Sequence, residues 1–426
     1  MIGKNFEFIT DRDDISHLPY AIKEEVKRRG LYTSNNNKNI SFCGMMIANN
    51  KIYMFIPKGS DYSKLKEIEF ACLLMSMLER YASQGKAHIT TDDEDNIEIG
   101  LCYLTLAKEL LKDYQSYGLY TKISKKELIN AGRINWKRTF QKQKPIFLKS
   151  SSPFFLEYYG YKYANSYSHE VSKIHAEIIR FLDYSLSWWL TKKNGLIAPD
   201  LNSINTSSLS KDEKKHILNK ELNQAYSDRE IKLLKNLITF LDLTPGTAST
   251  VIVLGIKKFE QTWENMLHIV LRGTKKTNSE WLPVPVYKSA TQHLSDVKRV
   301  GMKPDIFIED KNLLTGVVID AKYYDAKNNF KESLPALSDI LKQICYLHAV
   351  RLIHQNLTKI DNVFIFPGNH NSYSHIEFNH KQLTQIEISK MFPNIKCIYL
   401  NPVDVINAYV NNYYLDGVRT KLLSIN

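Results

Sequence analysis

Met302-Lys303-Pro304-Asp305-Ile306-Phe307-Ile308-Glu309-Asp310 and, after a polar turn, Gly316-Val317-Val318-Ile319-Asp320-Ala321-Lys322-Tyr323-Tyr324-Asp325 are the two runs from which the rest of the chain can be read. Each is short, apolar and rich in β-branched residues, with Lys311-Asn312 between them, and the pair predicts a β-hairpin. Side chains two apart on a strand share a face, so Asp320 and Lys322 project together while Ala321 points away. Asp305, at the start of the first strand, lies opposite them. Carboxylates hold a hard cation such as Mg²⁺, which polarises a phosphate and lowers the pKa of its bound water. A lysine beside it orients that water and offsets charge on the phosphorane. The arrangement suits phosphodiester hydrolysis, but the bare pattern equally describes an Asp–Lys pair on a solvated hairpin, so context has to decide.

The chain has 426 residues, which predicts two or three domains with real cores. A hydrophobic content of 43% and a charged content of 24% are those of a soluble globular protein. No apolar run approaches the roughly 20 residues of a membrane span, and no signal segment opens the chain, so no membrane partner and a cytoplasmic location are expected. The five cysteines are scattered without a Cys-x-x-Cys, which argues against zinc and disulfide frameworks. Lys and Arg outnumber Asp and Glu by 57 to 45, a net charge of +12 that favours a polyanion such as DNA.

Working outward from the hairpin, residues 257–272 read as a helix with Phe259, Trp263, Met266, Leu267 and Val270 on one stripe. Glu260, Glu264 and His268 form an adjacent stripe. A helix glutamate just before the hairpin is placed to complete a cation site. Glu264 is preferred because it follows the buried Trp263, with Glu260 one turn away as the alternative. Beyond the hairpin, residues 334–352 predict a helix with Leu337, Ile340, Leu341, Ile344 and Leu347 inward. Asp339, Gln343 and Tyr346 fall on its polar side, and a Gln-x-x-Tyr pair there suits a second tier that positions the attacked phosphate. Residues 362–366 and 395–400 read as buried strands.

Upstream, residues 40–58 predict a hairpin about Asn49-Asn50, whose strand edge would accept a partner. Residues 125–130, the turn Ala131-Gly132-Arg133 and residues 135–140 predict a helix-turn-helix. Arg133, Lys137, Arg138 and Lys142 are then the DNA-binding residues, Phe147-Leu148 opens a wing, and Trp136 and Phe140 belong to the core. Asp92-Asp93-Glu94-Asp95 reads as a solvated acidic loop. A junction at Ser150-Ser151-Ser152-Pro153 divides the chain into domains 1–150 and 151–426.

The order helix with Glu264, hairpin with Asp305 and Asp320-Ala321-Lys322, helix with Gln343-x-x-Tyr346, then two strands resembles the PD-(D/E)xK nucleases. More narrowly the chain is similar to LlaJI-type restriction endonucleases. The residues behind this are Phe259 to Glu264, the Lys303-Pro304-Asp305 to Lys322-Tyr323 block, Lys342-Gln343-Ile344-Cys345-Tyr346, Gly132 to Thr139, and the Phe42-Cys43-Gly44 hairpin. The resemblance implies cleavage of double-stranded DNA in bacterial restriction, as a subunit similar to McrC, the nuclease component of McrBC, with an AAA+ GTPase as companion. No Gly-x-x-x-x-Gly-Lys-Ser/Thr loop occurs here, so such a motor is expected on another polypeptide. A homodimer is compatible with this reading.

The expected fold is therefore α/β: a C-terminal restriction-endonuclease-like PD-(D/E)xK core behind an N-terminal α+β domain containing the helix-turn-helix. Asp305, Asp320 and Glu264 are expected to hold Mg²⁺, and Lys322 to orient water. Gln343 and Tyr346 complete the catalytic set. The competing readings are a DNA-binding module with an inert nuclease-like fold, and a nuclease acting on RNA or branched DNA.

Overall fold

A computed structural model shows a mixed α/β protein. It describes residues 6–33, 38–48, 51–83, 98–147, 153–166, 170–193, 195–204, 207–243, 251–274, 282–288, 297–298, 302–324, 326 and 334–424. The chain divides into two compact units, one built from residues 1–104 and 249–426, the other from 105–248. The junction expected near residue 150 thus falls inside the second unit. The expected turn at Asn49-Asn50 and the acidic loop at 92–95 lie outside the described residues.

The first unit holds two five-stranded sheets. One runs in the order Phe6–Thr10, Lys51–Ile56, Phe42–Ala48, Ile252–Lys257, Glu98–Ile99. The hairpin strands Phe42–Ala48 and Lys51–Ile56 pair as the apolar runs predict. Neither is an edge, because Ile252–Lys257 covers one and Phe6–Thr10 the other. The expected docking edge is therefore corrected: these strands are buried along most of their length, and their backbone groups are already paired.

The other sheet contains the motif hairpin. Its order is Ile306–Asp310, Thr315–Ala321, Lys359–Pro367, Ile395–Leu400, His375–Ile376. The first pair is antiparallel; the next two are parallel and need crossovers. Helix Leu337–Ile353 supplies the first crossover, and its buried Ile344, Tyr346 and Leu347 face Phe307, Val318 and Phe364. Leu337 and Leu341, expected inward, are 62% and 39% exposed, so the helix buries a narrower stripe than its leucines imply.

In the second unit Lys122–Ile129 is a strand, which corrects the first half of the expected helix-turn-helix. Lys, Glu and Leu favour helices locally, but propensity is a weak prior, and here an eight-residue antiparallel pairing with Tyr159–Ser166 overrides it. The helix Trp136–Lys142 does form, capped by Asn135, whose side chain accepts the Arg138 amide at 3.1 Å. Trp136 and Phe140 are 52% and 58% exposed rather than core. They cluster with Phe155, with Phe140 to Phe155 at 5.1 Å. Ile146–Phe147 pairs with Pro153–Phe154, so Phe147 does enter a small ribbon; Leu148 is outside the described residues.

Helices Glu170–Thr191, Lys211–Leu222 and Asp228–Leu243 complete that unit. His175 is buried there and accepts the Tyr120 amide on Nδ1 at 3.0 Å. Burial pushes its pKa down to about 4. In the unfolded chain a histidine titrates near 6.5. Between those values the unfolded chain takes the proton and the fold does not, so stability is lost as pH falls from about 6.5 towards 4, by about 3 kcal/mol in all. His175→Asn, which keeps the acceptor, should flatten that part of a stability-against-pH curve measured by urea unfolding. Parallel curves for the two proteins would assign the acid loss to other groups.

Candidate active site

The register that pairs Ile306 with Ile319 sets Asp305 one step beyond, beside Asp320. Asp305 Oδ2 accepts the Ala321 amide at 2.8 Å, which ties the head of one strand to the end of the other. Asp320 is 2% exposed at the end of a run of buried residues. The shared face expected from the Asp-x-Lys spacing is realised: Lys322 Nζ stands 2.8 Å from Asp320 Oδ2. The same ammonium donates to Asp339 Oδ1 at 2.9 Å. The Lys322 amide continues the sheet by donating to Ile365 O at 2.9 Å, so the backbone carrying the lysine is fixed on its own account.

Electrostatics here are those of an anionic pocket short of positive charge. Burial, then the neighbouring Asp320 and Glu264 charges, push the Asp305 carboxyl up to about 8. Burial also raises Asp320, against the opposing pull of Lys322. For Lys322, burial pulls the pKa down, but Asp320 and Asp339 outweigh it and hold the ammonium protonated. Glu264 lies on helix Glu260–Val270, which packs against both strands of the hairpin. Glu260, the alternative one turn away, is taken by an ion pair with Arg12. As the side chains stand, no three His, Cys, Asp or Glu groups among the described residues are gathered closely enough to hold an ion. The donor set nevertheless fits a hard cation. Buried like-charged carboxylates that push one another towards protonation are what a divalent ion relieves.

Two expected residues sit elsewhere. Gln343 is fully buried and donates Nε2 to Val318 O at 3.2 Å and Val363 O at 3.3 Å, bridging the two central strands from beneath. Tyr346 is 5% exposed in the core against Phe307 and Val318. On the same helix Lys342 as well as Asp339 acts on Asp320, a role that the sequence reading does not give to this lysine. Its Nζ lies 5.5 Å from the Tyr346 ring. Burial lowers its pKa, but Tyr346, Asp320 and Asp305 together raise it further. The available signal is its place three residues after Asp339, on the same helical face.

Arg133, Lys137, Arg138 and Lys142 are all exposed in the second unit. Arg138 pairs with Glu127 at 2.9 Å. The exposed Trp136 and Phe140 stand among these cations.

Among the described residues no helix is long and apolar enough to cross a membrane. The component YdjA of the type II restriction enzyme BsuMI from Bacillus subtilis (strain 168) is 25% identical over 306 residues, covering 68% of this chain and 62% of that relative. This chain thus spans less than two thirds of the relative's length. Two solved assemblies from Thermococcus gammatolerans also match. A half-complex from a tetradecamer of McrB AAA+ hexamers with bound McrC covers 96% of this chain and 100% of its own, at 12% identity and a TM-score of 0.37. The McrBC complex covers 62% of this chain and 86% of its own, at 9% identity and a TM-score of 0.30. A family model described as LlaJI restriction endonuclease matches residues 42–400, which take in Glu264, Asp305, Asp320 and Lys322, and on that match the chain belongs to the LlaJI restriction endonuclease family.

Proposed function

We propose that this chain is the nuclease subunit of a bacterial restriction system, a Mg²⁺-dependent endonuclease that hydrolyses double-stranded DNA from a PD-(D/E)xK core. The observation that carries this is the meeting of Asp305, Asp320 and Lys322 at one end of an otherwise apolar sheet, with 2.8 Å between the lysine and Asp320. Asp305 and Asp320 would hold the ion, with Glu264 as the third carboxylate. Bound Mg²⁺ supplies Lewis acidity and a more acidic water. Lys322 keeps its proton, orients the attacking water and offsets charge on the phosphate. Gln343 keeps the strand bearing Asp320 in register with its neighbour. Arg133, Lys137, Arg138 and Lys142 neutralise DNA phosphates, and the aromatic rings among them offer a surface on which bases stack.

The chain works with an AAA+ GTPase carried on a separate polypeptide. Two things support that: the resemblance of its motifs to those of a nuclease subunit in such systems, and the name of the Bacillus relative, a component of its enzyme. The test is plasmid cleavage in Mg²⁺ by the purified chain, alone and then with the GTPase and GTP. Weak cutting alone and strong cutting with both is the expected result. Efficient site-specific cutting by the chain alone would remove the partner from the scheme. No cutting under any condition would remove the nuclease reading. In the same assay, alanine at all four basic positions should weaken DNA binding and lower its salt slope by roughly one for each phosphate no longer neutralised.

A further inference from the structure

Arg12 sits in the turn after strand Phe6–Thr10 with a φ of +78°, left-handed backbone that costs a non-glycine residue about 1 kcal/mol or more. Such a conformation persists where its surroundings over-determine it. Here the Arg12 amide donates to Ile40 O at 3.0 Å. The neighbouring Asp11 is 1% exposed and accepts the Phe42 amide on Oδ1 at 3.2 Å. The side chain this turn delivers is itself largely buried and reaches two places far away in sequence. Its guanidinium forms an ion pair with Glu260. It also lies over the Tyr323 ring, 5.9 Å from the centroid.

Both partners adjoin the acidic site. Glu260 precedes Glu264 by one helical turn, and Tyr323 directly follows Lys322. Tyr323 is held on its other sides too. Its hydroxyl accepts the Lys58 amide at 2.9 Å, and its ring packs 5.5 Å from Phe259 and 6.5 Å from Trp263. One arginine from the turn after the N-terminal strand therefore touches both the helix that carries Glu264 and the segment that follows Asp320 and Lys322. Two carboxylates one turn apart share a helix face, and the one paired with Arg12 is neutralised.

We infer that Arg12 is a positioning residue that locks helix Glu260–Val270 to the end of strand Thr315–Ala321. This rests on the nuclease reading above, so its test reads cation binding without cleavage. Ca²⁺ is titrated calorimetrically into the full chain without DNA, alongside thermal melts of each variant. Groups that orient metal ligands typically change affinity 10–100-fold when removed. Arg12→Met is expected to weaken Ca²⁺ binding about 10-fold, and Arg12→Lys, which keeps the charge without the planar fork, to lose less. Glu260→Gln should weaken binding as well, and the double variant Arg12→Met/Glu260→Gln should bind no more weakly than Arg12→Met alone, because both substitutions remove the same link.

Wild-type affinity in a folded Arg12→Met protein would overturn the inference. So would losses that add up in the double variant. If Arg12→Met fails to fold, Glu260→Gln decides: wild-type affinity in that folded protein overturns the inference. Wild-type protein and Asp320→Asn both failing to bind Ca²⁺ would instead overturn the metal site itself, and the inference with it.

Discussion

Lys322→Ala is expected to lower DNA cleavage by about 10²–10³-fold, and Asp320→Asn by more. The lysine is the cation that stands between Asp320 and Asp339, and under the proposed function its loss removes the charge that offsets the phosphate. Its removal also leaves Asp320 buried without a counter-charge, and a buried pair broken on one side destabilises a fold. Asp320 limits that cost by taking up a proton, towards which burial already pushes it. Lys322→Gln separates the two effects. It keeps a donor for either carboxylate but no charge, so it should melt close to wild type and still cut poorly. The checks are cleavage rate and melting temperature on the same preparations. A folded Lys322→Gln protein that cuts at the wild-type rate would take this group out of the chemistry.

Gly44→Ala should be among the most damaging small substitutions outside the site. Gly44 faces Gly255 across the antiparallel pair of Phe42–Ala48 with Ile252–Lys257. A Cβ on Gly44 would stand 2.2 Å from Leu254 O and 2.5 Å from Gly255 Cα. Both obstacles are backbone in the middle of a sheet and cannot swing away as a side chain can. Overpacking of this kind costs about 3 kcal/mol. For a unit of this size that corresponds to roughly 6–12 °C in Tm. Gly255→Ala meets Cys43 O at 2.4 Å and should behave alike. A Gly44→Ala protein melting within about 2 °C of wild type would show that the strands have room to part, at a small fraction of the usual overpacking cost.

The site is legible in the sequence where local rules act alone. Alternation along a strand places Asp320 and Lys322 on one face, and a polar turn between apolar runs makes the hairpin. The helix around Trp263 follows from periodicity. What is not legible depends on partners remote in sequence. Lys122–Ile129 carries helix-favouring residues, and only its pairing with Tyr159–Ser166 makes it a strand. Gln343 and Lys342 are adjacent polar residues, and helical spacing alone does not say which turns inward. The structure buries the glutamine under the sheet and gives the lysine to the carboxylates. Trp136 and Phe140 have the size and apolarity of core residues, yet they are exposed.

The first unit takes its strands from both sides of the insertion, and this sets a timetable for synthesis. Strand Phe42–Ala48 leaves the ribosome with one flank open, and its partner Ile252–Lys257 follows roughly 200 residues later, about 10–40 s at ordinary elongation rates. The motif hairpin and Lys322 emerge later still. Until then the nascent chain carries Arg12, Glu260 and Glu264 but neither Asp305 nor Asp320. A message cut short before residue 320 yields a product without the Asp-x-Lys pair. A separate C-terminal fragment would hold the pair without the arginine that aligns it. Neither fragment by itself therefore holds Arg12 together with Asp320 and Lys322, which meet only in a chain that carries both.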